Sequence, residues 1–110
     1  MTEVNVQVIL DKMLQAAKEV LKSHWEKVKP FAEQEFKAYA QNIQLIMQLK
    51  EEGKISKEQA TYYLEIQKGS IRVVLLTIEG LGILAVEAAI NEALSVIRTT
   101  VNKALGWSII

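Results

Sequence analysis

The chain has 110 residues, half of them apolar, with 13 basic and 13 acidic side chains, one His, one Pro and no Cys. That size suits a single compact domain spanning residues 1–110. The charges balance within each half as well (eight of each sign in residues 1–55, five of each in 56–110), so a nucleic-acid partner, which needs clustered Lys and Arg to neutralise phosphates, is not expected. Without Cys there are no disulfides, thiolate nucleophiles or Cys-ligated metals. The first 30 residues are studded with charge and do not read as a secretory signal, which makes a cytoplasmic location the expectation.

From Val6 the apolar residues step by four and three through Leu10, Met13, Ala17 and Val20, the spacing of a helix with one buried face. It predicts a first helix over 4–29. Pro30 should end it, because the residue before a proline is steered away from helical backbone and a proline suits the first position of a new helix. A second helix over 31–52 carries two apolar stripes: Ala32, Phe36, Tyr39, Ala40, Ile43, Ile46 and Met47 on one side, Phe31, Ala38, Leu45 and Leu49 on another. One stripe is enough for a hairpin. The second calls for a further partner, another helix of this chain or another copy of it.

The stretch Glu52-Gly53-Lys54-Ile55-Ser56-Lys57-Glu58-Gln59 reads as a stop followed by a start. Gly53 suits the left-handed conformation that closes a helix, and Ser56 with Gln59 three residues later forms a capping box.

Beyond Ser56 a seam of alternating four- and three-residue steps runs through Tyr62, Ile66, Gly69, Val73, Leu76, Gly80, Ile83, Glu87, Ile90, Leu94, Ile97, Val101 and Ala104. Its unbroken phase favours one long helix over 56–105, bent at a glycine, of roughly 73 Å at 1.5 Å per residue. Two places could break it: Lys68-Gly69-Ser70, which has the look of a C-cap followed by an N-cap, and Gly80-Leu81-Gly82, whose tight turn gives four helices; against the second, Leu81 is a poor residue for an exposed turn. The fold class is therefore all-α, an antiparallel bundle of three helices, or of four if the chain breaks near Gly80.

Residues 73–90 are apolar nearly all the way round, and between Val73 and Ile97 the only charges are Glu79, Glu87 and Glu92. Such a helix is expected to be buried on all sides. As a membrane span it is short and carries Glu79 near its centre, which costs about 2.5 to 3.5 kcal/mol on insertion scales. Glu79 and Glu87 read as buried carboxylates that need a partner such as Arg72, Lys68 or a Tyr hydroxyl. After the last turn, with Lys103, Gly106 is a helix stop, and the apolar tail Trp107-Ser108-Ile109-Ile110 should dock back on the bundle or on a neighbouring subunit.

Motifs of chemistry are missing from this reading. The one histidine, His24, has no Glu three residues before it, so a di-metal bundle lacks its ligands. The Gly80-Leu81-Gly82 run has neither the strand nor the Lys-Ser/Thr of a phosphate loop. No catalytic residue, cofactor or metal site is expected, and the chain is not expected to be an enzyme. The sequence points instead to a structural or protein-interaction domain that forms a homo-oligomer, with Leu45, Leu49, Ile66, Val73, Leu76, Ile83, Ile90, Leu94 and Ile97 at the interface. A protein partner is the related possibility, and insertion of residues 73–90 into lipid is the alternative from another class.

Overall fold

A computed structural model describes residues 4–110. Four helices follow one another in an up-down-up-down bundle measuring 44 × 22 × 19 Å.

Helix α1 spans Val6–Leu21. The Asn5 side chain caps it, accepting from the Val8 backbone N–H at 3.1 Å, which satisfies one of the amides that a helix start leaves free. Ile9, Leu10, Met13, Ala16, Ala17 and Leu21 form its buried face. The exposed face is tied by Gln7–Asp11 and Gln15–Glu19 side-chain hydrogen bonds.

The first reversal lies eight residues earlier than Pro30. Lys22 takes a positive φ of 49°, a single turn of 3-10 helix covers Lys22–His24, and α2 then runs unbroken through Trp25–Glu51 with Pro30 inside it. The expected boundary at Pro30 is therefore corrected. Val28 and Ala32, on either side of the proline, are both fully buried, so packing holds the segment helical. Pro30 removes one hydrogen bond, to the Glu26 carbonyl, and both residues sit on the exposed side, where water replaces the lost donor.

The second reversal follows the sequence closely. Gly53 has φ 69°, Lys54 N–H closes onto the Leu49 carbonyl at 2.8 Å, and both halves of the Ser56/Gln59 capping box are formed, at 3.1 and 2.9 Å. Helix α3 then covers Lys57–Leu76, with Gly69 held inside it.

At the third reversal the single long helix gives way to two. Thr77 donates to the Val74 carbonyl, Gly80 takes φ 86°, and α4 starts after Gly82 and spans Ile83–Leu105. The objection to a turn here was Leu81, and it fails because the turn is not apolar-side-out. Ile78 and Leu81 both point into the end of the core and are under 10% exposed. The seam therefore does not stay on one side of one rod. Ile90, Leu94, Ile97 and Val101 face inward on α4, whereas Tyr62, Ile66, Val73 and Leu76 face outward on α3.

The core combines these faces: Met13 of α1, Val28, Phe36, Tyr39, Ile43 and Ile46 of α2, Ile71 and Leu75 of α3, and Val86, Ile90, Ile97 and Leu105 of α4 are its largest buried side chains. Helix α4 packs mainly on α1, and α3 mainly on α2. Among the described residues no helix is long and apolar enough to cross a membrane.

Candidate interaction surface

Helix α3 has two apolar faces on opposite sides. Ala60, Leu64, Ile71 and Leu75 turn inward. Tyr62, Ile66, Val73 and Leu76 turn outward and are 71, 67, 65 and 41% exposed. Steps of four, three, four and three through Gly69 align these outward residues along the helix axis, the pattern by which one helix face meets another helix. Just past the turn, Ile83 and Leu84 are exposed as well, which extends the strip to the end of the bundle.

Hydrogen bonds across the hairpin fix how α2 lies beside this strip. Tyr63 donates to the Asn42 side chain at 2.8 Å, and Ser70 to Glu35 at 3.0 Å. That register sets Phe31 level with Val73 and Ala38 level with Ile66. Phe31 and Leu45 of α2 are exposed, and Ala38 and Leu49 are half-buried. The second stripe predicted for α2 thus lies along the same outer side of the hairpin.

The structure divides the predicted interface residues into two groups. Leu45, Ile66, Val73, Leu76 and Ile83 are exposed, and Leu49 is half-buried. Ile90, Leu94 and Ile97 lie in the chain's own core, at most 6% exposed, and are unavailable to a partner. The break at Gly80 is the reason, because it turns α4 over so that its share of the seam faces the chain's own core, mainly against α1.

The two acidic residues are also placed differently from the expectation. Glu79 is exposed in the turn, because the helix that would have buried it ends at Leu76. Glu87 is half-buried and meets Arg72, one of its predicted partners, through Nε–Oε1 and Nη2–Oε2 contacts of 2.5 and 3.3 Å. This two-pronged pair joins α3 to α4. It holds the Glu87 carboxyl below its ordinary range, chiefly through the hydrogen bonds from Arg72, and raises Arg72 in the same way. Among the described residues no charged side chain is buried.

At the other end of the bundle the tail docks on its own chain. Gly106 closes α4 in the left-handed conformation at φ 74°. The Asn102 side chain then accepts from the Ile109 and Ile110 amides at 3.1 and 3.2 Å, and Ile109 is buried. Lys50 donates to the Leu105 carbonyl and lies 4.7 Å from the centre of the Trp107 ring, a cation–π contact that pins the end of α2 to the end of α4.

His24 is half-exposed at the first reversal, and among the described residues no group of three or more His, Asp or Glu is placed to hold a metal ion. No protein-family description, curated protein or solved structure matches the chain.

Proposed function

We propose that the chain is a non-enzymatic structural or interaction protein that self-associates through the outer face of α3, with a second copy of the same chain as the partner. The observation that carries this reading is the exposed strip Tyr62, Ile66, Val73 and Leu76, regularly spaced about Gly69. A two-fold interface sets each residue against its symmetry mate near the axis. Gly69 occupies the middle of the strip, and a Cβ added there meets nothing within 4 Å. Two α3 helices can therefore approach closely at that point, with the larger side chains interlocking on either side.

Charge and magnitude support the same partner. The flanks of the strip carry both signs, with Lys57, Lys68 and Arg72 against Glu58, Glu65 and Glu79, so copies neither repel nor select a strongly charged partner. Burying what remains exposed of Tyr62, Ile66, Val73, Leu76 and Ile83 on two copies is worth about 9 to 18 kcal/mol gross, taking about 1.5 to 3 for each fully buried side chain. Association costs about 4 to 15 kcal/mol. The surplus is small, and the pairing it supports is weak and concentration-dependent.

A unique thiol tests this directly, because the chain has no cysteine. Under mild oxidation Gly69→Cys is expected to form covalent dimers rapidly, and Gln15→Cys, on the exposed side of α1, only slowly. Equal rates for both variants refute the α3 face as the contact. Crosslinking of Gly69→Cys that vanishes when lipid vesicles are added, with the protein pelleting alongside them, favours the lipid-surface alternative.

A further inference from the structure

The first reversal is built unlike the other two. The second and third place glycine at their positive-φ position, Gly53 and Gly80, where the missing Cβ removes any steric objection. The first places Lys22 there, with φ 49° and ψ −110°, close to the first central residue of a type II′ turn and a backbone state that a Cβ makes unfavourable. Lys22 is the only non-glycine residue with positive φ among the described residues.

Helical geometry resumes at once on both sides of it. Leu21 before the link and His24 and Trp25 after it lie in the right-handed helical region, the Lys22 amide still donates to the Lys18 carbonyl, and the Trp25 amide donates to the Lys22 carbonyl. The chain therefore changes direction within Lys22 and Ser23, both exposed. Lys22-Ser23-His24-Trp25 contains no Gly or Pro, so no residue in the link opposes a continuous helix, and Lys is among the better helix formers.

The buried faces of α1 and α2 are also in phase across the link. Leu10, Ala17, Leu21, Val28, Ala32 and Tyr39, all buried, fall within an arc of about 60° at 3.6 residues per turn. With Lys22 right-handed, α1 and α2 become one helix from Val6 to Glu51, roughly 70 Å long at 1.5 Å per residue, with a single apolar side. One chain cannot bury that side, because its α1 has left its α4. Two chains can.

We infer that the Lys22 link is a hinge for the exchange of α1 between two copies of this chain: each copy straightens α1 onto α2, and its α1 docks on the α4 and α2 of the other. In the closed chain α1 packs on α4 and α2, and the exchanged pair rebuilds the same contacts, so only the hinges differ. Relief of two strained residues favours exchange, and the entropy of joining two chains opposes it. Exchange is separate from pairing through the outer face of α3, because α1 must undock before it trades places. The exchanged pair forms and separates slowly, whereas surface pairing relaxes on dilution.

The test refolds the full chain from urea at high concentration, dilutes it into the monomeric range and follows its mass by light scattering over hours. A dimer that persists on dilution is expected in wild type, and equally in Ile66→Lys combined with Val73→Lys. Lys22→Gly, which relaxes the closed form and weakens the open helix, should reduce this dimer's association constant by about tenfold at each hinge and about a hundredfold per pair. The thermal midpoint of its monomer should not fall. Spin labels on Gln7→Cys and Lys37→Cys, exposed positions lining one groove between α1 and α2, report the geometry when labelled chain is refolded with an excess of unlabelled chain. Their separation within one chain should be short in the monomer and about 45 Å in the persistent dimer, at 1.5 Å per residue. No persistent dimer, a persistent dimer whose labels stay close, or one unaffected by Lys22→Gly overturns the inference. So does a persistent dimer that the two lysines abolish, because the α3 face then holds the pair.

Discussion

Two residues of the same sequence seam have opposite fates in the fold, and this sets up a sharp comparison. Ile97 is completely buried on α4, whereas Val73 is 65% exposed on α3. Ile97→Ala removes three buried carbons from a site enclosed by the core, and such truncations cost about 2 to 5 kcal/mol, the transfer loss plus the cavity left behind. Taking about 3.5 kcal/mol, and about 4 to 8 °C per kcal/mol for a domain of this size, the midpoint falls by about 15 to 25 °C. Val73→Ala loses a side chain already largely in water and gains helix propensity, so its effect should stay within about 0.5 kcal/mol. The assay is thermal and urea unfolding by circular dichroism, at dilutions where the chain is monomeric so that association does not contribute. If Val73→Ala costs as much as Ile97→Ala, the seam runs along one buried rod and the break at Gly80 is wrong.

Other substitutions probe the reversals and the tail. Gly80→Ala should destabilise by about 1 kcal/mol although its Cβ meets nothing within 4 Å, because φ is 86°; no change in urea midpoint contradicts a left-handed turn at that residue. Ser56→Ala, which removes half of the capping box, should cost about 1 kcal/mol, with amide exchange rising first at Lys57 to Gln59. Gly106→Ala combines a positive φ with a Cβ 3.0 Å from Lys50 Nζ, and should free Trp107, seen as a red-shifted fluorescence. The Arg72–Glu87 pair adds a pH dependence of defined sign. The folded-state pKa of Glu87 is lowered, so its stabilisation is present above the unfolded carboxylate value, about 4.3, and is lost as pH falls through the lower folded value. Wild type should therefore lose more stability than Glu87→Gln between pH 5 and pH 3, and the difference should shrink in high salt because the pair is partly solvated. Parallel pH profiles for the two proteins refute that role.

Much of the architecture was legible in the residues. The inner faces of α1 and α2, the Gly53–Ser56 reversal and the Gly106 stop are local devices whose chemistry is complete within a few positions, and all appear where the spacing places them. The first and third reversals were misread, for two different physical reasons. At Pro30 a strong local preference is overridden because Val28 and Ala32 bury and the lost hydrogen bond faces water. At Gly80 the periodicity kept phase across a turn, and periodicity reports only that residues share a face of a continuous helix. Once the chain reverses, the same count assigns Val73 to the outside and Ile97 to the core. Leu81 was the misleading residue, because an apolar side chain in a turn is acceptable when the turn folds over the end of a core.

Self-association through α3 is tested most directly by light scattering coupled to size exclusion, in detergent-free buffer, over a tenfold range of concentration reaching well above micromolar. Wild type should move from the 12.4 kDa chain mass towards twice that value as concentration rises, and Ile66→Lys combined with Val73→Lys should stay at the chain mass throughout with its helical spectrum intact. A wild-type mass that stays at 12.4 kDa across the whole range contradicts the assembly, and a dimer that survives both lysines places its interface elsewhere.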